Sequence, residues 1–364
     1  MRSAAGCAAL GILLLLVAGT FDAEPFYVTG AALLLLGAGA AAWIGLGAWG
    51  ARVTRTLGAR SVVEEEPLTI RVEALAGRLP LPPGFIDEPL LPEPAPLTAG
   101  HRRSRLRIEA TFGRRGRRVL EPPALVLRDP LGLAERTVTA GEADELLVLP
   151  KIFPVRTVAT GGENAGAHAR ALLTAAAETE IDGLRQHVEG SPASRIHWAS
   201  LARGAGLMER KLIAESDARP LVVLDPRGDD DDALDAAVRA AGSLAVHFAK
   251  RSGCGLLLPG DRRVVTIDPD LSAWPAAHVR LALIDNTSGP ALSAAQNRRG
   301  LILFVSARPV DRPPRGLGRT PGGLLLVVPG ELAGKRAIID VAGCRGYLGA
   351  RAGSAAALDA VGAG

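Results

Sequence analysis

The chain has 364 residues, of which 48% are hydrophobic and 4% aromatic, and a formal net charge of +4. That length accommodates two soluble domains and a membrane anchor, and the apolar content excludes a disordered chain. So mild a charge argues against nucleic-acid binding, which draws on a concentrated basic surface. Cys7, Cys254 and Cys344 stand at spacings that suit neither a zinc site nor a disulfide framework. Each lies in or beside an apolar run and reads as a small buried hydrophobe.

Residues 3–21 and 25–51 carry no charge. Each is long enough to cross a hydrocarbon core of about 30 Å as a helix. A cleaved signal peptide is the rival reading of the first run. A second span so close behind, and the single basic residue ahead, favour a transmembrane hairpin over residues 1–55. Trp43 and Trp49 stand where interfacial anchors sit. Arg2 precedes the first span, and Arg52, Arg55 and Arg60 follow the second. The connecting loop has Asp22 and Glu24 but neither Lys nor Arg. The positive-inside rule therefore puts both termini, and everything after residue 60, in the cytoplasm, tethered to the cell membrane.

Residues 60–155 read as β. Ser61–Ala74 alternates Leu68, Ile70 and Val72 with Thr69, Arg71 and Glu73; Arg105–Phe112 alternates Leu106, Ile108 and Ala110 with Arg107, Glu109 and Thr111. Leu125–Leu127 and Leu146–Leu149 are shorter candidates. Period-two runs separated by Pro and Gly predict a small β-sandwich. The seven prolines of residues 79–98 predict a loop or an edge, not a central strand. Residues 156–181 read as a linker.

From Pro220 the pattern becomes α/β. The apolar runs Leu221–Leu224, Leu256–Leu258, Val264–Ile267, Leu301–Val305 and Leu324–Val328 read as strands. Asp229–Lys250 is an amphipathic helix, and Pro275–Leu283 and Gly289–Gln296 are further helices. Continuous apolar strands alternating with helices predict a parallel sheet covered on both faces, over residues 216–350. Residues 351–364 are a tail.

Between these halves lies the segment 182–215. Ser191-Pro192 reads as an N-cap and first helical residue, Pro192–Arg203 as a short helix, and Leu207–Ala214 as a strand. The residues Gly183, Leu184, Arg185, Gly190, Arg195, Ile196, Trp198, Ala202, Arg203, Gly206, Leu207 and Met208 follow one another in the order of a known signature. They are joined by Arg114-Arg115-Gly116 and by Asp129-Pro130-Leu131-Gly132-Leu133. In these blocks the chain resembles the bacterial membrane proteins called the domain of unknown function 58 family. The resemblance covers about residues 60 to 260. Ser191 stands where that family has an acid, Ala199 where it has a basic residue, and Lys211 where an acid is common; the aromatic expected at Gln186–His187 is missing. The resemblance implies an α+β, membrane-anchored architecture: two N-terminal transmembrane helices, a small β-sandwich and an α/β, Rossmann-like domain similar to von Willebrand factor A domains. It also implies a partner, a MoxR-type AAA+ ATPase.

Asp225 ends the first strand of the α/β half, where such folds place ligand sites. Domains similar to von Willebrand factor A often hold Mg²⁺ there through Asp-x-Ser-x-Ser. Here the run is Asp225-Pro226-Arg227-Gly228-Asp229, without either Ser, so the site reads as degenerate and metal-free. Asp229-Asp230-Asp231-Asp232 stands at a helix N-terminus, where carboxylates cap free N–H groups. His187 and His197 straddle Glu189 with no third ligand at a metal spacing. A phosphate-binding Gly-x-x-x-x-Gly-Lys-Ser/Thr loop and a nucleophilic Ser elbow are both missing from the sequence. Arg185, Arg195, Arg203 and Arg210 admit two readings: they pair with Asp182, Glu189 and Glu209 to fix a joint, or they face an acidic partner with Trp198 as the anchor. The expected partner-binding set is Arg185, Glu189, Arg195, Trp198 and Arg203. The whole reads as a non-enzymatic membrane-tethered adaptor without a cofactor, whose partners are the ATPase and the lipid bilayer. The alternative is a metal-dependent hydrolase of the cell envelope.

Overall fold

A computed structural model describes residues 2–158, 181–186, 198–204, 206–212, 219–286, 288–296, 298–317 and 323–349. Two helices open it, α1 (Arg2–Phe21) and α2 (Glu24–Ala48), both long and apolar enough to cross a membrane. Their Ala- and Leu-rich runs favour helix. Pro25 stands in the first turn of α2, where its missing N–H is not needed. The two helices pack through glycine. A Cβ at Gly11 would lie 2.6 Å from the Leu34 amide nitrogen, and one at Gly37 would lie 2.6 Å from the Ala4 carbonyl oxygen. Such close backbone approach is how apolar helices associate where burial from water supplies no drive.

Two compact units divide the chain: Met1–Gly113 with Arg117–Val148, and Arg114–Gly116 with Leu149–Gly364. The first continues from the helices into β1 (Arg52–Leu57), β2 (Ser61–Val63), β3 (Leu68–Leu75), β4 (Gly84–Asp87), β5 (Ala95–Leu97), β6 (Arg103–Ala110), β7 (Gly116–Leu120), β8 (Ala124–Arg128), β9 (Glu135–Thr139) and β10 (Asp144–Leu149). They form sheets ordered β1-β3-β6, β2-β10-β7 and β5-β4-β8-β9. The alternation in β3 buries Leu68, Ile70, Val72 and Ala74. One apolar core gathers them with Leu125, Leu127, Leu146, Val148 and, from the helices, Ala4, Ile44 and Ala48. The start of α1 is tied to this core by the Ala4 amide, which donates to the Leu133 carbonyl at 2.8 Å.

The Pro-rich stretch 79–98 departs from expectation. It holds β4, which lies between β5 and β8 in its sheet. Residues 84–87 are free of Pro, so β4 can donate to both neighbours, and Pro96 falls on the edge strand β5. Arg55, counted above among the basic residues flanking the second span, is held inside this unit instead. Its side chain is 1% exposed; it donates to Glu88 at 2.8 Å, to Asp144 at 2.7 Å and to the Leu120 carbonyl at 2.8 Å.

The second unit carries β11 (Arg156–Thr157), β12 (Ile181–Gln186), α3 (Trp198–Ala202), β13 (Met208–Leu212), β14 (Leu221–Asp225), α4 (Asp231–Ser252), β15 (Cys254–Leu257), β16 (Val265–Ile267), α5 (Trp274–Ala282), β17 (Ile302–Ser306), β18 (Leu324–Pro329), β19 (Ile339–Val341) and β20 (Cys344–Leu348). β12 and β13 pair alone. The rest form an eight-stranded sheet ordered β11-β19-β20-β18-β17-β14-β15-β16. Its centre, β15-β14-β17-β18, is parallel, as expected; β16, β19 and β20 pair antiparallel at the flanks, so the sheet is mixed. Val222, Leu224, Leu303 and Val305 meet the α4 face made by Leu234, Val238, Ala241, Leu244 and Phe248. Leu221, Val223, Ile302 and Phe304 point the other way, onto Ala295 and Leu317. The helix expected over Gly289–Gln296 is only a 3-10 turn, Leu292–Ala294. The β19–β20 hairpin escaped the sequence reading. It turns on Ala342 (φ 52) and Gly343 (φ 80), a pair lacking the usual Asn-Gly signal. Cys254 and Cys344 are buried as expected, and burial pushes both thiols up to about 12.

Glu88 yields a pH test. Its Oε2 is buried without a hydrogen-bond partner, and desolvation raises its carboxyl above the ordinary range against the opposing pull of Arg55. A raised folded pKa means that the native state keeps the proton longer than the unfolded chain. The stabilisation is complete below the unfolded value, about 4.3, and is lost as pH rises through the folded value. Glu88→Gln keeps an acceptor for Arg55 and removes the titration. The wild-type melting temperature should therefore fall relative to that of the variant as pH rises through this window. Parallel curves would show that Glu88 does not titrate there.

Candidate functional site

The carboxyl ends of β14 and β17 lie side by side, with Asp225 in register with Ser306. The strand order reverses at β14, with β15 and β16 on one side and β17 and β18 on the other, and open α/β sheets hold ligands at such points. Asp225 is 3% exposed. Its occupant is supplied by the chain itself. Arg227 Nε donates to Oδ1 and Nη2 to Oδ2, each at 2.8 Å, and the Arg227 amide adds a bond of 3.3 Å to Oδ1. This is the forked, charge-assisted pairing that guanidinium geometry favours. The bond to Asp225 holds the Arg227 pKa above its usual value.

The surrounding loop is closed by backbone contacts. The Ala307 amide donates to the Asp225 carbonyl at 3.0 Å. Asn286 clasps Gly228 from both sides, accepting from its amide at 3.1 Å and donating to its carbonyl at 2.9 Å. Ser306, buried beside Asp225, accepts from the Arg308 amide at 3.1 Å. Among the described residues no group of three or more His, Cys, Asp or Glu could hold a metal ion. Arg227 was visible in the sequence as a basic residue inside this loop, but its bond to Asp225 was not read from it, and Asn286 was not singled out.

The acidic run behaves as a helix start. Asp230 caps α4 by accepting from the Ala233 amide at 2.6 Å, and Asp231 and Asp232 lie in the first turn. The Arg114-Arg115-Gly116 block meets this same helix. Arg114 Nε donates to Asp235 at 3.0 Å, and Arg115 pairs with the other carboxylate oxygen of Asp235. Arg115 also donates to the carbonyls of Leu281 and Ile284, at 3.4 and 2.8 Å, closing the C-terminus of α5. Arg115 and Asp235 are both buried. The second block of the resemblance is a turn: Asp129, buried, accepts from the amides of Leu131 and Ala134 around Gly132 (φ 70).

Of the expected partner set, Glu189 and Arg195 lie outside the described residues, as do His187 and His197. Arg185 is placed by its backbone on β12, opposite Glu209 of β13. Trp198 opens α3 and is 61% exposed. Arg203 is exposed just past α3, ahead of Gly204 with φ 76. Trp198 and Arg203 thus stand exposed at the two ends of α3. No protein-family model matches the chain, and no curated protein matches it.

Two tests follow from this geometry. Asp235→Ala leaves the buried Arg115 charge without its carboxylate, a change that costs about 3–5 kcal/mol; chemical denaturation of the full chain in detergent measures it, and a loss within error would show that the pair is dispensable. Mg²⁺ should leave the wild-type melting temperature unchanged, because both Asp225 oxygens are engaged by Arg227. A saturable rise that disappears in Asp225→Ala would show a specific metal site.

Proposed function

We propose that this chain is a membrane-tethered, non-enzymatic adaptor or scaffold of the domain of unknown function 58 family. In this reading it works with a MoxR-type AAA+ ATPase in the assembly or maturation of protein complexes. Its soluble part faces the cytoplasm, the first unit is a β-sandwich, and the α/β part of the second is similar to von Willebrand factor A domains. Taking β14 as strand one, the order 3-2-1-4-5 of β16, β15, β14, β17 and β18 supports the α/β assignment.

The observation that carries the adaptor reading is Trp198. A signature aromatic 61% exposed on a short helix, with an exposed Arg203 just past the helix end, has the residue types of a protein-binding hot spot. The engagement of Asp225 by Arg227 weighs against the alternative of a metal-dependent hydrolase.

Capture of the ATPase from membranes by a tagged full-length chain tests the reading. Trp198→Ala should leave the melting temperature nearly unchanged, because little of the side chain is buried. It should weaken capture by about 2 kcal/mol, roughly thirtyfold in affinity. Undiminished capture by Trp198→Ala would remove the proposed anchor, and a lowered melt would return Trp198 to a structural role.

A further inference from the structure

The hairpin and the sheets of the first unit meet at a rim rich in arginine. β1 starts at Arg52, just past the end of α2 at Ala48. The register Arg52↔Leu75 and Leu75↔Arg103 puts Arg52 and Arg103 in the row of the β1-β3-β6 sheet nearest that end. Beyond this row the Arg102 carbonyl accepts from the Ala76 amide at 2.9 Å. Arg102 Nη2 in turn donates to the Arg78 carbonyl at 3.5 Å. The Arg78 guanidinium sits 4.7 Å above the ring of Trp49, and that ring is 59% exposed. Leu79 is 42% exposed beside them; Leu131 is 66% exposed, in the turn whose Leu133 carbonyl holds the start of α1.

We propose that this rim, Arg52, Arg78, Arg102 and Arg103 interleaved with Trp49 and Leu79, is a binding surface for anionic phospholipid headgroups. The proposal rests on reading α1 and α2 as membrane spans. A Trp ring with a guanidinium over its face matches the depth at which one side of the ring meets acyl chain and the other meets phosphate. All four arginines are exposed, and Arg52, Arg78 and Arg102 form no ion pair among the described residues. Arg103 is shared with Glu73, which also takes Arg105. Clusters of arginine next to a membrane span are drawn to an anionic surface.

The basic character continues up the sheet into a hollow of about 500 Å³ lined by Thr56, Arg71, Glu73, Arg103, Arg105 and Arg107. Screening decides which charges act on the bilayer. The Debye length is about 8 Å at physiological ionic strength, and Arg71 and Arg107 stand about 13 Å further along the strands than the first row. The rim, Arg103 included, carries the interaction, and the far end of the hollow at Arg71 and Arg107 lies beyond its reach.

The test places the full-length chain in nanodiscs of phosphatidylcholine alone or mixed with phosphatidylglycerol and follows amide hydrogen exchange over residues 76–81 and 100–104. Phosphatidylglycerol should slow exchange there at least about fivefold, the factor one cation near an anionic surface supplies. The protection should vanish at high salt and in the Arg78→Gln/Arg102→Gln double variant. The salt arm needs no substitution, so a variant that folds poorly does not blunt the test. Equal exchange in both discs overturns the lipid proposal and leaves the membrane reading standing. Failure to enter either disc overturns both. Protection by millimolar inorganic phosphate in phosphatidylcholine discs assigns the rim to a soluble anion and overturns the lipid source.

Discussion

A buried charge must find a partner inside the protein, because removing an ion from water costs more than any single apolar contact returns. This constraint recurs at each junction of the chain. Arg55 is met by Glu88, Asp144 and a backbone carbonyl within the first unit. Asp235 is met by Arg114 and Arg115 in the second. Asp129 is met by two amides in its turn, and Asp225 by Arg227 at the end of the central strand. Two of these sets, at Asp235 and Asp129, contain residues of the blocks that carry the family resemblance. Pairing of buried charge accounts for those residue types without any chemistry beyond folding.

Asp225 shows how one substitution pattern changes what a fold position can do. At the reversal point of a parallel sheet a carboxylate faces the place where ligands are held. Oxygen donors from neighbouring hydroxyls would make it a cation site. In this chain the cation is covalent: a guanidinium two residues later takes both carboxylate oxygens. Asn286 and Ala307 fix the loop that presents it. The positive charge beside Asp225 is thus supplied by the chain itself.

The apolar hairpin obeys a different rule. Its helices have no water to escape from once inside hydrocarbon, so their association depends on backbone approach at Gly11, Gly30 and Gly37. Its open end is locked to the strands by Ala4, Ile44 and Ala48 in one apolar core. Attachment at that end fixes where Trp49 and Arg78 stand relative to the strands.

Periodicity was legible wherever one face of an element alone decided its burial. The two apolar spans, β3 and β6, the parallel strands β14, β15, β17 and β18, and α4 all follow from residue spacing, because their partners are generic apolar surface. The elements that escaped depend on context. β4 survives among prolines because its own four residues lack any, and the β19–β20 turn asks Ala342 for a left-handed conformation that its side chain does not advertise. For the site, the carboxylate Asp225 could be anticipated, since strand ends mark such positions. The bond from Arg227, the clasp of Asn286, the exposure of Trp198 and the inward turn of Arg55 could not. A sequence determines which residues prefer to leave water; which charged group meets which is decided only when distant strands bring them within hydrogen-bond reach.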